Sequence, residues 1–271
     1  MKRILMCFLI ALMTTGGFAK TKVITSIFPV ADIVSNIVKD KAEVKFAIPV
    51  NANPHTFEPT PKQAKMIADA DIFIGISKQF DGWMEKFLKK DAKVYYILKR
   101  PANPHIWLSF RKSYSIITTT KRIFVKLDKK NLHFYEKNAR EYAREINEVY
   151  KVYLDKFSKL NSKNIIQYHP AWEYLAIDLK LKTIGVIYTG ESKRVKIQQL
   201  TEILERGKKF GADALLCRIG TKDKVIDIYK RELNLKVVEL DPIGDPNSKD
   251  RNTYLNLMIF NCERIYQALS R

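Results

Sequence analysis

Asn51-Ala-Asn-Pro-His-Thr-Phe-Glu-Pro-Thr-Pro61 is the stretch on which the reading of this chain turns. It sets one histidine, His55, between an apolar run at 44–50 and a segment built to start a helix. Val44, Phe46, Ala47, Ile48 and Val50 read as a buried strand. Pro54, Pro59 and Pro61 then forbid a continued strand or a helix interior, because each lacks a backbone donor and has a fixed φ. Thr60 can cap the next helix, Pro61 suits its first position, and Gln63 completes a capping box. His55 therefore sits on a stiff loop beyond the carboxyl end of a strand, where open α/β sheets bind ligands. Taken alone, an exposed loop histidine is the simpler account.

The other histidines weaken that account. The chain has four, and three adjoin a proline. Asn53-Pro-His55 is echoed by Asn103-Pro-His105, and Tyr168-His-Pro170 ends another apolar run. His133 lies in a helical pattern and reads as an exposed helix residue. Asp241 closes the apolar strand 236–240 and is followed by Pro242. Four ligand-type residues thus fall at four strand-to-loop junctions, and Trp107 beside His105 reads as a wall of the site.

Outward from these junctions, short apolar runs alternate with helical patterns. Strands at 22–28, 44–50, 71–77 and 94–98 are separated by helices at 30–38, 61–70 and 83–88. Strands buried on both faces and joined by helices imply a parallel sheet with right-handed crossovers. A helix at 114–127 follows, and then a much longer one at 131–160. Leu132, Tyr135, Ala139, Tyr142, Ile146, Val149, Tyr153, Phe157 and Leu160 form one apolar stripe along it. A rod of about 45 Å at 1.5 Å per residue exceeds what one small sheet needs, so it reads as a spine between two lobes. Strands at 164–168, 181–187, 213–217 and 236–240 then alternate with helices at 171–179, 197–210 and 222–233, before a last helix at 253–269. The fold class is α/β: two lobes, each a parallel sheet flanked by helices, joined by one long helix. The boundaries expected are a leader at 1–19, lobes at 20–127 and 161–271, and the linking helix at 128–160.

The leader has a positive start in Lys2 and Arg3, an apolar core at 4–13, and small residues before Lys20. That is the pattern of a secretory signal peptide cleaved after Ala19, too short to span a membrane. A free periplasmic protein is expected. Its removal takes Cys7, Lys2 and Arg3, and lowers the formal charge from +19 by two. Cys217 and Cys262 remain, and an even pair in an oxidising compartment is a disulfide candidate; two buried thiols are the alternative. The positive charge is spread as lysines along helix faces, without a nucleic-acid motif, so no nucleic-acid partner is expected.

Three imidazoles and a carboxylate suit Zn²⁺, since neutral imidazole is a borderline ligand and the carboxylate reduces the charge of a four-coordinate site. The chain has no HExxH, GxSxG, P-loop or GxGxxG motif. Glu58 beside His55 reads as a plain loop residue. Four protein ligands drawn from two lobes describe capture, not catalysis, and no enzyme activity is expected. An exported zinc hydrolase using three histidines and a water is the reading from a different class.

The ordered set of motifs resembles a known family. The Asn-Pro-His-Thr-Phe-Glu-Pro-Thr-Pro stretch, Asn-Pro-His-Ile-Trp-Leu108, Asn138-Ala-Arg-Glu-Tyr142, Tyr168-His-Pro-Ala-Trp-Glu-Tyr174 and Leu240-Asp-Pro-Ile-Gly244 occur in the order seen in periplasmic metal-binding proteins of zinc and manganese ABC importers, the ZnuA/TroA type. The resemblance covers nearly all of 21–269. It implies two α/β lobes on a rigid helix, one metal in the cleft, and a monomer that delivers it to an inner-membrane ABC permease. His55, His105, His169 and Asp241 match the family's four metal-ligand positions. The resemblance points to Zn²⁺, with Mn²⁺ as the alternative, and to a Cys217–Cys262 bridge like one in some members. Three stretches depart from the pattern. Leu216-Cys-Arg-Ile-Gly220 replaces a Phe-x-Glu-Pro segment, and Glu191-Ser-Lys-Arg-Val195 replaces Glu-Pro-Ser. The short 98–105 segment has no His-rich loop.

Overall fold

The computed structural model describes residues 20–50, 52–188 and 196–270. The expected leader and the 191–195 motif lie outside the described residues. Four strands come first: β1 (Thr21–Thr25), β2 (Ala42–Phe46), β3 (Ile72–Gly75) and β4 (Lys93–Tyr96). They are parallel throughout, in the order β2-β1-β3-β4. The intervening helices are α1 (Phe28–Val38), α2 (Pro61–Ala68) and the single turn α3 (Lys78–Asp81). Next come α4 (Ser113–Leu127) and α5 (Leu132–Ser158). The second half repeats the scheme. Its strands β5 (Asn164–Gln167), β6 (Lys182–Val186), β7 (Ala214–Arg218) and β8 (Lys236–Leu240) pair in the parallel order β6-β5-β7-β8. Helices α6 (Glu173–Asp178), α7 (Ile197–Phe210), α8 (Lys224–Leu233) and α9 (Tyr254–Leu269) complete it.

Local chemistry explains most boundaries. Gln63 Oε1 accepts from the Thr60 backbone N–H at 2.9 Å, the capping contact expected before α2. Gly211 takes a left-handed φ of 68° and stops α7 where a side chain would be strained. The strand expected at 44–50 instead ends at Phe46, where its pairing with β1 ends. Ala47 and Ile48 still donate to Thr25 and Ser26 carbonyls, but Pro49 has no donor to continue the ladder. The helix expected at 83–88 is a 3-10 turn over Gly82–Phe87, preceded by α3, which Ser77 caps by accepting from Phe80 N–H. Side-chain capping there decides what apolar spacing alone could not.

The long helix is 27 residues, about 40 Å at 1.5 Å per residue. It buries Tyr135, Ala139, Tyr142, Ile146, Tyr153 and Phe157, all in the stripe read from spacing. It packs on α1, α4 and α9, so it touches both halves of the chain. One apolar cluster accordingly runs from Val23 and Ile74 under the first sheet, past Tyr142 and Phe157, to Ile165, Leu216 and Val238 under the second. Polar ties cross the same seam. Asp32 on α1 accepts from Tyr142 Oη at 3.1 Å and from the Tyr254 backbone N–H at the start of α9 at 3.0 Å. Burial pushes its carboxyl pKa up, and these bonds oppose that rise. A continuous apolar seam of this kind makes the two halves one packed body and positions their loops against each other.

The disulfide expectation is corrected. Cys217 and Cys262 are both free and buried. Alternate residues of a strand face opposite sides of its sheet. On β7, Leu216 therefore joins the main core with Cys262, whereas Leu215 and Cys217 face the second cluster with Val225 and Tyr229. A bridge would have to pass through the sheet. Burial raises both thiol pKa values, that of Cys217 to about 11, which keeps them protonated and unreactive. Thiol counting on denatured, unreduced mature protein should give two free thiols per chain; none would mean that the strand is turned over.

Candidate metal centre

Each histidine is placed by a strand end and a proline. His55 follows β2, His105 follows β4 and His169 follows β5, so all three loops leave the carboxyl edges of their sheets. The two Asn-Pro-His motifs fold alike. Asn53 Oδ1 accepts from the His55 backbone N–H, and Asn103 Oδ1 accepts from that of His105, both at 3.1 Å. These are Asx-type turns, with the asparagine bridging two residues forward. His105 is buried, and His55 and His169 are partly buried.

The three imidazoles converge from both lobes. Their ring centroids lie 5.1–5.3 Å apart, and His55 Nε2 is 3.2 Å from His105 Nε2. Potential donor atoms of all three fall within 4.8 Å of one another. Two nitrogens bound to one tetrahedral zinc at about 2.05 Å would lie roughly 3.3 Å apart, so the observed spacing suits a shared ion. His169 Nε2 is buried and has no hydrogen-bond partner among the described residues. An orphaned nitrogen there is costly unless something else, such as a cation, takes its lone pair.

Second contacts fix the ring of His105. Asn103 Nδ2 donates to Pro170 O and to Glu173 Oε2, each at 2.8 Å, which orients its amide. Its Oδ1 then faces His105 Nδ1 at 2.7 Å and can only accept. His105 therefore carries its proton on Nδ1 and offers the Nε2 lone pair to the cluster. Asn103 also joins the first lobe's His105 to the residue after His169 in the second. Trp107 reinforces that join by donating from Nε1 to Pro242 O at 2.6 Å, and its ring stands 5.2 Å from His105. It lines the cleft as expected.

The cleft has a volume of about 550 Å³ and is further lined by Tyr168, Tyr188, Arg218 and Thr221. Arg218 Nη2 donates to Ala52 O at 3.1 Å, across from the second lobe to the loop that holds His55. Sequence reasoning gave no role to Asn103 or Arg218. The repeated Asn-Pro-His motif held the signal for Asn103, and the departure at 216–220 held that for Arg218. His133 projects into solvent from α5, and Glu58 is exposed.

Asp241 sits differently. It follows β8 and is buried, but it does not line the cleft; its neighbour Pro242 does. Its Oδ1 accepts from the backbone N–H groups of Ile243 and Gly244 at 2.9 and 3.0 Å. Its Oδ2 pairs with Arg251 Nη1 at 2.9 Å. Asn261 grips its backbone from both sides, donating to the carbonyl and accepting from the N–H.

Burial and the neighbouring imidazoles disfavour charge on two of the rings. His105 is held well below the usual imidazole pKa, and His169 falls to about 4; burial is the larger cause in each. Both are neutral at neutral pH, the form that binds metal. In the unfolded chain these rings take up protons near pH 6.5, whereas in the folded chain His169 resists until about pH 4. Between those values the unfolded state binds more protons, so stability falls as pH falls. Thermal melts of metal-free protein in chelator should drop from pH 6.5 toward 4, and His169→Gln should flatten part of that slope. An unchanged slope would remove His169 as its source.

The comparisons with known proteins meet this geometry. The sequence profile of the family described as "zinc-uptake complex component A, periplasmic" matches residues 23–268. The chain belongs to this ZnuA family. A high-affinity zinc uptake system protein ZnuA from Bacillus subtilis is 25% identical over 291 residues, covering 94% of this chain and 91% of that protein. A manganese ABC transporter substrate-binding lipoprotein, PsaA of Streptococcus pneumoniae, is 23% identical over 285 residues, covering 95% and 92%. In fold, the chain matches a metal-free periplasmic metal-binding protein from Candidatus Liberibacter asiaticus with a TM-score of 0.82 at 22% identity, over 92% of this chain and all of the other. ZnuA-family membership makes this chain a metal-binding periplasmic component of ABC uptake. No helix among its described residues is long and apolar enough to cross a membrane.

Proposed function

We propose that this ZnuA-family protein captures Zn²⁺ at His55, His105, His169 and Asp241 and passes it to an inner-membrane ABC permease, acting as a monomer without catalysis. The observation that carries the reading is the convergence of three imidazoles from two lobes, one with an orphaned Nε2. Three nitrogens favour zinc over harder ions. Asp241 is the carboxylate of the set, and the structure finds it paired with Arg251. The proposed chain starts at Lys20 after cleavage of the leader, with lobes at 20–127 and 161–271 about the 128–160 segment.

A hydrolase would need a general base near the metal-bound water. The carboxylate of the proposed set, Asp241, is already engaged by Arg251 and by the backbone N–H groups of Ile243 and Gly244, and the relatives named above are uptake proteins. Elemental analysis of protein purified without added metal tests the proposal directly. About one zinc per chain is the expected result; manganese in its place would transfer the role to that ion.

A further inference from the structure

The Asp241–Arg251 pair lies beside the cleft but outside the imidazole cluster, and its geometry bears on which ion the site prefers. Asp241 Oδ1 is committed to two backbone N–H groups, which leaves Oδ2 as the oxygen with capacity for another partner. Arg251 Nη1 already holds that oxygen at 2.9 Å. The pair is mostly shielded from solvent, with side-chain exposures of 26% for Arg251 and 11% for Asp241, so it is weakly screened.

Arg251 also has other partners already in place. Its Nε donates to Asp250 Oδ1 at 3.2 Å, and its guanidinium carbon stands 5.1 Å from the centre of the Phe260 ring. Its carbonyl accepts from Asp245 N–H at 3.1 Å, tying together the loop that carries both residues. The Nη1 contact can therefore break while the ion pair to Asp250 and the stacking on Phe260 persist. Release then costs one charge-assisted bond, not the whole packing of the side chain.

We propose that Arg251 competes with the incoming ion for the Asp241 carboxylate and so sharpens the preference of the site for imidazole-seeking over oxygen-seeking ions. This rests on the metal-capture reading above. While Arg251 holds Oδ2, the site presents three imidazole nitrogens, and an ion must displace or share the guanidinium to gain oxygen ligation. Zn²⁺ draws much of its affinity from the imidazoles and loses little by this. Mn²⁺ depends more on carboxylate oxygen and loses more.

The test is competition titration of the mature protein with zinc and manganese, in the parent, Arg251→Gln and Arg251→Lys. Arg251→Gln should raise manganese affinity by about fivefold or more, the equivalent of freeing one partly buried pair, and zinc affinity by less. Arg251→Lys keeps the charge and should stay within about twofold of the parental ratio on the same energy scale. Adding Asp241→Asn to Arg251→Gln should erase the manganese gain. Arg251→Met keeps the stem against Phe260 without the charge, and repeats the test if melting shows the Gln variant to be unfolded. Unchanged affinities in the neutral variants, or a fall for both ions, would overturn the proposal, since a fall would make Arg251 an orienting group. Those results require a parent that binds metal. A parent that binds neither ion would instead overturn the capture reading, and this proposal with it.

Discussion

His105→Ala should lower zinc affinity by at least about 100-fold, because even outer-shell substitutions at metal sites cost up to that much and this one removes a ligand. His105 is the most enclosed of the three rings, and Asn103 fixes its Nε2 toward the cluster. Alanine would leave a position that water fills with a weaker bond and without the fixed direction. The fold should survive, since the loop is held separately by Trp107 and by the Asn103 contacts to Pro170 and Glu173. Isothermal titration against a chelator of known affinity measures the loss, and a thermal melt in chelator separates it from unfolding. Zinc binding within a few-fold of the parent, in a folded variant, would exclude His105 from the site.

The second large effect concerns the choice of metal. Zinc should bind at least about tenfold more tightly than manganese, or roughly 1.4 kcal/mol, because imidazole suits zinc and the general affinity order runs the same way. His169→Glu should shrink that gap. It replaces the orphaned Nε2 with a carboxylate, which serves a hard ion better and brings a negative charge against the other two rings. Zinc should weaken more than manganese in the variant. Competition titrations of both proteins with both ions decide it; manganese binding as tightly as zinc in the parent would show that ligand identity does not set the preference. This effect is separable from that of Arg251, which acts on the carboxylate side of the site and leaves the imidazoles in place.

The sequence by itself determined the α/β class, the two repeated strand–helix series and the long helix, because these rest on local periodicity. The spacing of Tyr135, Ala139, Tyr142, Ile146, Tyr153 and Phe157 can serve only one face of a helix, and that face is buried. It also singled out three histidines that the fold brings together. A histidine wedged beside proline at a strand end has its loop direction fixed by neighbours in the chain, so His55, His105 and His169 were legible before any contact was known. Local rules failed where the outcome hung on distant partners. The extent of β2 depended on where β1 stopped pairing, and the cysteines were separated by the two faces of β7, a matter of strand register. The partners of Asp241 were equally beyond reach. Its place after a strand marked it as a ligand type, but Arg251 reaches it only through the fold of the intervening loop. Arg218 grips the His55 loop from a position 166 residues away in the chain. Spacing in sequence says which groups can point the same way; only the packed seam along α5, which brings the two sheet edges together, decides which of them meet.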